Sequence, residues 1–164
     1  MERKILWAPW RGEYVSGKKD PGCIFCPPEG ELPDEERLIL YRDHLVLVIM
    51  NKFPYNSGHL LVSPRRHVAE LEELTSEEIT AMMRMAQEAI KILKEVFKPH
   101  GFNVGFNLGK VAGAGYPDHL HLQIVPRWDG DVNFLAVLDE IRVISQHLLT
   151  QYHTLFPYFQ KIKL

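Results

Sequence analysis

Two histidines and a glutamine stand at alternate positions in the segment DHLHLQIVPRW, residues 118–128. A β-strand sends successive side chains to opposite faces, so we expect His119, His121 and Gln123 on one face and the apolar residues between them in the core. Imidazole groups aligned in this way could act as nucleophiles, proton-transfer groups or metal ligands. The alternative is a solvent-facing strand without a chemical role.

A glycine-rich loop, GKVAGAG at 109–115, comes shortly before this polar row. Glycine allows phosphate oxygens to approach the backbone N–H groups closely, because it has no Cβ atom and can adopt positive φ. The alternative is an ordinary flexible connection between strands. Together, the loop and the row favour phosphate chemistry, with an imidazole attacking and neutral donors around the developing charge.

The two cysteines of the chain, Cys23 and Cys26, are separated by two residues in a segment rich in Pro and Gly. Such a pair commonly supplies two thiolates to a tetrahedral zinc site that takes its other ligands from histidines elsewhere. His67 and His119 are the favoured histidines. The less favoured ones are His44, His59 and His100. A redox pair and two unligated cysteines are the alternatives.

Length and composition are typical of one globular domain, residues 1–164, with a net charge of -2 and 46% hydrophobic residues. The chain has no strong basic excess, which argues against a nucleic acid polymer as partner. The N-terminal segment is too short and too interrupted for a secretory signal, and no apolar run of about 18 residues follows it. We therefore expect a cytoplasmic protein that does not insert into a membrane.

The hydrophobic pattern predicts strands at 37–41, 45–50, 59–64 and 102–109 and from residue 119 onward. A long helix is predicted at 76–97, beginning at a capping box of Thr75 and Glu78. Its apolar positions are Ile79, Met82, Met83, Ala86, Ile90, Leu93 and Phe97. A further helix is expected within 134–164. This order predicts an α+β fold, in which one long helix covers one face of a mostly antiparallel sheet and the polar row lies on the other.

Several segments between residues 23 and 128 resemble the histidine-triad (HIT) superfamily of nucleotide hydrolases and transferases. They are CIFC, MNKFPYNSGHLLVSPRRH, the long helix, GFNVGFNLGKVAGAG and DHLHLQIVPRW. LWAPWR and GDVNF further resemble the branch that contains diadenosine tetraphosphate phosphorylases. The third histidine of the family motif is Gln123 here, which is more similar to the transferase branches than to the hydrolases.

The resemblance implies an enzyme with a HIT-like fold in which His121 attacks the α-phosphorus and forms a nucleotidyl-histidine. Gln123 would then hold a non-bridging phosphate oxygen. The implied substrate-binding residues are Asn51, His59, Asn107, Gly109 and Gly115. As alternatives, the asparagines could cap turns and His59 could be a hydrogen-bonded core residue.

The resemblance also implies a closed, structural zinc site formed by Cys23, Cys26, His67 and His119. A divalent cation such as Mg²⁺ could accompany the substrate. A homodimer is implied as well, and the apolar segment around Trp7 and Trp10 is a candidate part of its interface.

The leading hypothesis is a nucleotidyltransferase that cleaves dinucleoside polyphosphates, diadenosine tetraphosphate in particular, with inorganic phosphate as acceptor. A hydrolase of dinucleoside polyphosphates or nucleoside phosphoramidates is the first alternative, because it would use the same site with water. A nucleotide-binding or redox-responsive adaptor is the second, and in it the Cys-x-x-Cys segment would be the working part.

Overall fold

An antiparallel sheet forms the frame of the chain in the computed structural model, which describes residues 22–26, 33–131 and 146–163. Its strands are β1 (Ile39–Arg42), β2 (Val46–Met50), β3 (Leu60–Pro64), β4 (Gly101–Phe106) and β5 (Leu122–Arg127). They are ordered β1-β2-β3-β5-β4, and every neighbouring pair is antiparallel. Two helices, α1 (Ser76–Phe97) and α2 (Leu148–Phe159), accompany them. The predicted α+β class is confirmed.

Helix α1 has the predicted limits and begins at the predicted capping box. The Glu78 backbone N–H donates to Thr75 Oγ1 at 3.1 Å, and the Thr75 backbone N–H donates to the Glu78 carboxylate at 2.9 Å. Two N–H groups at the start of the helix therefore have partners within the chain. The helix ends at Phe97, and the next residue, Lys98, has a left-handed backbone with φ 49°.

The buried stripe of α1 is narrower than its apolar stripe. Met82, Ala86 and Leu93 are buried as expected, and Met85 is buried as well. Ile79 and Met83, two of the apolar positions, are exposed by 44% and 48% and do not face the sheet. At about 100° per residue both project from the flank of the helix, beyond the arc that faces the sheet.

The sheet is covered on both faces, which explains why all five residues of β2 are buried. One face packs against α1 and α2 through alternate strand residues. They include Leu40, Val48, Leu60, Val62, Leu122 and Ile124. On the opposite face, Ile39, Leu47, Ile49 and Leu61 pack with Phe25 from the Cys-x-x-Cys segment. We call this second group the site-face cluster.

The helical layer contains two helices, so the expectation of a single long helix over the sheet is corrected. Helix α2 contacts both α1 and β1, and its buried side chains include Tyr152, Leu155 and Phe159. It forms the described part of the predicted C-terminal helix, whereas residues 132–145 lie outside the described part of the chain. No helix among the described residues is long and apolar enough to cross a membrane.

The strand that follows the glycine-rich loop begins later than predicted. Strand β5 starts at Leu122, so of the polar row only Gln123 belongs to it. The β3–β5 pairing extends no further than Val62 opposite Leu122. Two residues before the start of β5, the Leu120 N–H donates to the carbonyl of Val68 instead of to β3. Strand β4 likewise ends at Phe106 rather than at residue 109.

Candidate active site and metal centre

His121 lies just before β5 and has a defined hydrogen-bonding state. Its Nδ1 is 2.9 Å from the carbonyl oxygen of His119. A carbonyl oxygen can only accept, so Nδ1 carries the proton and Nε2 of a neutral ring carries the lone pair. The ring therefore presents one nucleophilic nitrogen, and the backbone determines which one it is.

The surroundings of His121 favour the neutral ring. The residue is 8% exposed, and burial lowers its pKa, although the hydrogen bond to the His119 carbonyl acts in the opposite direction. Phe25 stacks on the imidazole with ring centroids 4.8 Å apart and 25° between the planes. The alternative of a solvent-facing row does not hold, because His119 and Gln123 are buried too.

Gln123 lies in β5, the strand that continues from His121, and in the middle of three strands. It pairs with Leu61 of β3 on one side and with Gly105 of β4 on the other. Gly105 has no side chain, and a Cβ atom built there would meet no other atom within 4 Å. The carboxamide is neutral at every working pH and can donate to a phosphate oxygen without exchanging a proton.

The four residues implied as metal ligands are brought together. In Cys23, Cys26, His67 and His119 the potential ligand atoms all lie within 4.8 Å of one another. We call this group the Cys/His cluster. Three sulfur–nitrogen distances are 3.3, 3.3 and 3.4 Å. Ligands placed about 2.0 to 2.3 Å from a tetrahedral zinc ion would lie about 3.3 to 3.8 Å apart, so the donor set fits zinc.

The protonation chemistry of this cluster also fits a cation. His119 Nε2 is 2.9 Å from the carbonyl oxygen of Pro64, so Nε2 carries the proton and Nδ1 turns its lone pair towards the sulfurs. Burial, followed by the charge of Cys23, raises the pKa of the Cys26 thiol to about 11. A bound cation would reverse that preference and stabilise the thiolates. The less favoured histidines, 44, 59 and 100, are not among the grouped residues.

Asn51 and His59 are adjacent, at either end of the turn between β2 and β3. The Asn51 side-chain nitrogen is 3.3 Å from His59 Nδ1, which also accepts from the Tyr55 N–H at 3.0 Å. The Asn51 side-chain oxygen accepts from the Phe53 N–H at 2.9 Å. The turn-capping alternative therefore accounts for the contact between the Asn51 side-chain oxygen and the Phe53 N–H. This structural role of Asn51 is compatible with a role in substrate binding.

Asn107 organises the glycine-rich loop. Its side-chain nitrogen donates to the Gly113 carbonyl at 3.3 Å, and Gly109 and Gly113 have φ of 81° and 91°, a region that glycine favours. The N–H groups of residues 112, 113 and 114 bond within the loop, so they point inward. Gly115 lines a cavity of about 430 Å³ next to His119.

Sequence reasoning missed Phe25 and the ion pair that joins the segment after β3 to α1. In that pair, Arg66 Nε and Nη2 donate to the two carboxylate oxygens of Glu78 at 2.9 and 2.8 Å. The one available signal for Phe25 was its position between two cysteines. Arg66 directly precedes a proposed metal ligand, but no local pattern links it to Glu78.

The HIT domain family model matches residues 33–130 of the chain. The chain belongs to the HIT family. The resemblance noted from the motifs is thereby confirmed, and the antiparallel sheet with its helical layer agrees with the fold of HIT proteins in solved structures.

Two curated proteins are similar in sequence to this HIT chain. Over 151 residues it is 46% identical to the AP-4-A phosphorylase of Mycobacterium tuberculosis, covering 87% of this chain and 77% of that protein. Over 93 residues it is 33% identical to the asymmetrical bis(5'-nucleosyl)-tetraphosphatase of Schizosaccharomyces pombe, covering 57% of this chain and 50% of that protein.

Among solved structures, a zinc-bound histidine triad family protein from Mycobacterium smegmatis is similar to this HIT chain. The TM-score is 0.61 at 25% identity, and the match covers 76% of this chain and 84% of that one. The NitFhit protein of Caenorhabditis elegans gives a TM-score of 0.62 at 25% identity, covering 77% of this chain and 28% of that one.

Proposed function

We propose that this enzyme is a nucleotidyltransferase that cleaves dinucleoside polyphosphates, diadenosine tetraphosphate in particular, by phosphorolysis to ATP and ADP. The observation that carries the proposal is the geometry of His121, a buried imidazole whose Nδ1 is engaged by the His119 carbonyl and whose Nε2 is the nucleophilic nitrogen. The 46% identity to a protein named AP-4-A phosphorylase supports the choice of substrate.

The first half-reaction forms a bond between His121 Nε2 and the α-phosphorus. The bond from that phosphorus to the bridging oxygen breaks, and ATP leaves with the bond electrons. The imidazole then carries AMP and a positive charge. The Nδ1–H bond to the His119 carbonyl stabilises that charge.

The second half-reaction returns the imidazole to its starting state. An oxygen of inorganic phosphate attacks the same phosphorus, the bond to Nε2 breaks, and ADP leaves. Gln123 donates to a non-bridging oxygen in both steps and does not supply or remove a proton. Phosphate is already a charged nucleophile, whereas water needs a base, so a neutral amide at this position favours phosphate as acceptor.

The other proposed site residues bind the substrate. Asn51 and His59 form the ribose side of the substrate pocket, and Asn107, Gly109 and Gly115 form the phosphate side. A divalent cation such as Mg²⁺ would accompany the charged substrate. We regard the chain as one catalytic domain, residues 1–164, acting in the cytoplasm.

The Cys/His cluster would hold zinc in a closed structural site. The ion would supply positive charge that keeps both thiols deprotonated. Cys23 and Cys26 would then be tied to His67 after β3 and to His119 before β5. The similar histidine triad family protein from Mycobacterium smegmatis is zinc-bound, which supports this choice of metal.

A homodimer is supported by the outer edge of the sheet. Strand β4 is an edge strand of the described sheet, and its Val104 is 45% exposed. Pairing two copies at this edge would bury that side chain and satisfy backbone groups that the single sheet leaves open.

Phosphate dependence tests the proposal directly. We expect diadenosine tetraphosphate to be consumed only when inorganic phosphate is present, giving ATP and ADP in equal amounts. Gln123→His is the matched variant, and we expect it to release AMP and ATP in phosphate-free buffer. Equal consumption by the unchanged enzyme with and without phosphate would instead support the hydrolase, which the similarity to a tetraphosphatase keeps as the second candidate.

A further inference from the structure

Phe25 is the residue between the two cysteines whose ring faces the active site. It is 1% exposed and packs into the site-face cluster. Its ring lies 4.8 Å from that of His121 in a stacked arrangement and 5.1 Å from that of His119. The ring therefore contacts both the sheet residues of the site-face cluster and the imidazole.

The hydrogen bond from His121 Nδ1 to the His119 carbonyl cannot orient the imidazole by itself. One bond of this kind restricts a single direction, and the ring can still tilt about it. A flat aromatic surface against the imidazole restricts that tilt, because stacked rings prefer nearly parallel planes. Both restraints are needed to direct Nε2 at a phosphorus atom along one line.

Both restraints are connected to the Cys/His cluster. His119 supplies its ring to the cluster and its carbonyl to His121. Phe25 is held between Cys23 and Cys26, which form a tight turn through a bond from the Cys26 N–H to the Cys23 carbonyl at 3.1 Å. Movement of either cysteine would therefore move the ring that stacks on His121.

We propose that Phe25 is a positioning residue for His121, and that metal bound by the Cys/His cluster holds in place both groups that orient the imidazole. The inference rests on the proposed function, since it takes His121 as the nucleophile. It extends that function, because the metal site then contributes to the orientation of the nucleophile as well as to folding.

The kinetic test compares Phe25→Leu with Leu47→Ala. The first variant replaces the flat ring by an aliphatic side chain of similar bulk. The second removes a fully buried side chain of the same cluster and keeps both aromatic rings in the chain. We expect Phe25→Leu to lower kcat about 10- to 100-fold with KM nearly unchanged. Leu47→Ala should lower Tm with kcat within about threefold, since it acts on packing alone.

A conservative variant distinguishes loss of the flat ring from misfolding in the kinetic test. Phe25→Tyr keeps a flat ring, and we expect it to restore most of the kcat that Phe25→Leu loses. A rise in KM alone for Phe25→Leu would overturn the proposal, because Phe25 would then act in substrate binding. A loss of kcat no larger than that of Leu47→Ala would overturn it as well.

An NMR measurement tests the coupling without any turnover. The ring current of Phe25 displaces the ring-proton resonances of His121, which can be assigned by their absence from His121→Gln. We expect a chelator to remove this displacement from the zinc-loaded enzyme. In Phe25→Leu, which has no ring-current displacement to lose, the chelator should cause a smaller change that arises from the His119 carbonyl alone. Unchanged resonances after metal removal from the unsubstituted enzyme would overturn the coupling. Failure to form a nucleotidyl-histidine would instead count against the proposed function and leave the NMR result valid.

Discussion

At the scale of the residue, the proposed role of His121 as nucleophile depends on its buried neighbours. The His119 carbonyl accepts from Nδ1 and so leaves the lone pair on Nε2, and burial lowers the pKa of the ring, which favours its neutral form. A histidine exposed on a strand would have neither property.

The first prediction concerns His121→Gln. We expect turnover to fall by several orders of magnitude, because the nucleophile is removed while a side chain of similar length fills the buried site. The check is kcat together with the amount of labelled nucleotide trapped on the protein. Thermal melting serves as the control, and a fold-preserving variant that retains most of its turnover would contradict the assignment.

Residue types and spacing were sufficient to single out the polar row and to favour His67 and His119 as partners of the two cysteines, because metal and nucleophilic chemistry admit few side chains. The choice of His121 as nucleophile came from the resemblance to the HIT family and stays a prediction. Residue types and spacing were not sufficient to find Phe25. An apolar residue in a short loop is ordinary in sequence, and its stacking on His121 depends on a contact between positions 25 and 121.

At the scale of the element, α1 is anchored at its start by one carboxylate with several partners. Glu78 closes the capping box and also receives two hydrogen bonds from Arg66, which follows β3. The pKa of Glu78 is lowered from 4.5 to about 2, and the hydrogen bond from Arg66 is the largest cause of this shift.

A pH-dependent loss of stability follows from this shift. The folded-state pKa of Glu78 is depressed, so its stabilisation is fully present above the unfolded value of 4.5 and disappears as pH falls towards 2. Glu78→Gln should therefore lower the unfolding free energy by about 2 kcal/mol at pH 7, a figure reduced to allow for the exposure of Arg66.

Denaturant unfolding of both proteins between pH 7 and pH 2 measures this difference. We expect it to shrink steadily below pH 4.5. The quantity compared is the difference in unfolding free energy between the two proteins. Arg127 also lowers the pKa of Asp131 to about 2, but that contribution is the same in both proteins and cancels in the difference. A difference that stays constant with pH would show that the carboxylate charge is not responsible.

At the scale of the whole molecule, the Cys/His cluster joins parts of the chain that are distant in sequence. Cys23 and His119 are 96 positions apart, and their Sγ and Nδ1 atoms are 3.3 Å apart. Metal bound there would stabilise the fold, because the ligands come together only in the folded chain.

Chelation provides the third prediction. Removing the metal should lower Tm by about 5 °C or more, corresponding to roughly 2 kcal/mol for a domain of this size. Cys26→Ser should already show the lower Tm and should not respond to the chelator. Zinc content by mass spectrometry checks occupancy, and an unsubstituted protein that contains zinc yet keeps its Tm after removal would count against a structural role.

The oligomeric state is the subject of the fourth prediction. Val104→Asp places a charge on the exposed side of edge strand β4 and should convert the proposed homodimer to a monomer, as measured by light scattering after size exclusion. Leu149→Asp is the matched control, since Leu149 is 40% exposed and belongs to α2 rather than to this edge. If Val104→Asp remains a dimer, the interface lies elsewhere.

The sequence by itself determined the long helix and its capping box, the approximate positions of the strands, and the residue types of the site. Periodicity, capping and ligand chemistry all act over a few neighbouring positions. Only the tertiary structure decided where β5 begins, that α2 joins the helical layer, that Arg66 binds Glu78, and that Phe25 covers His121. Each of these depends on strand pairing or packing between distant segments, which local preference does not encode.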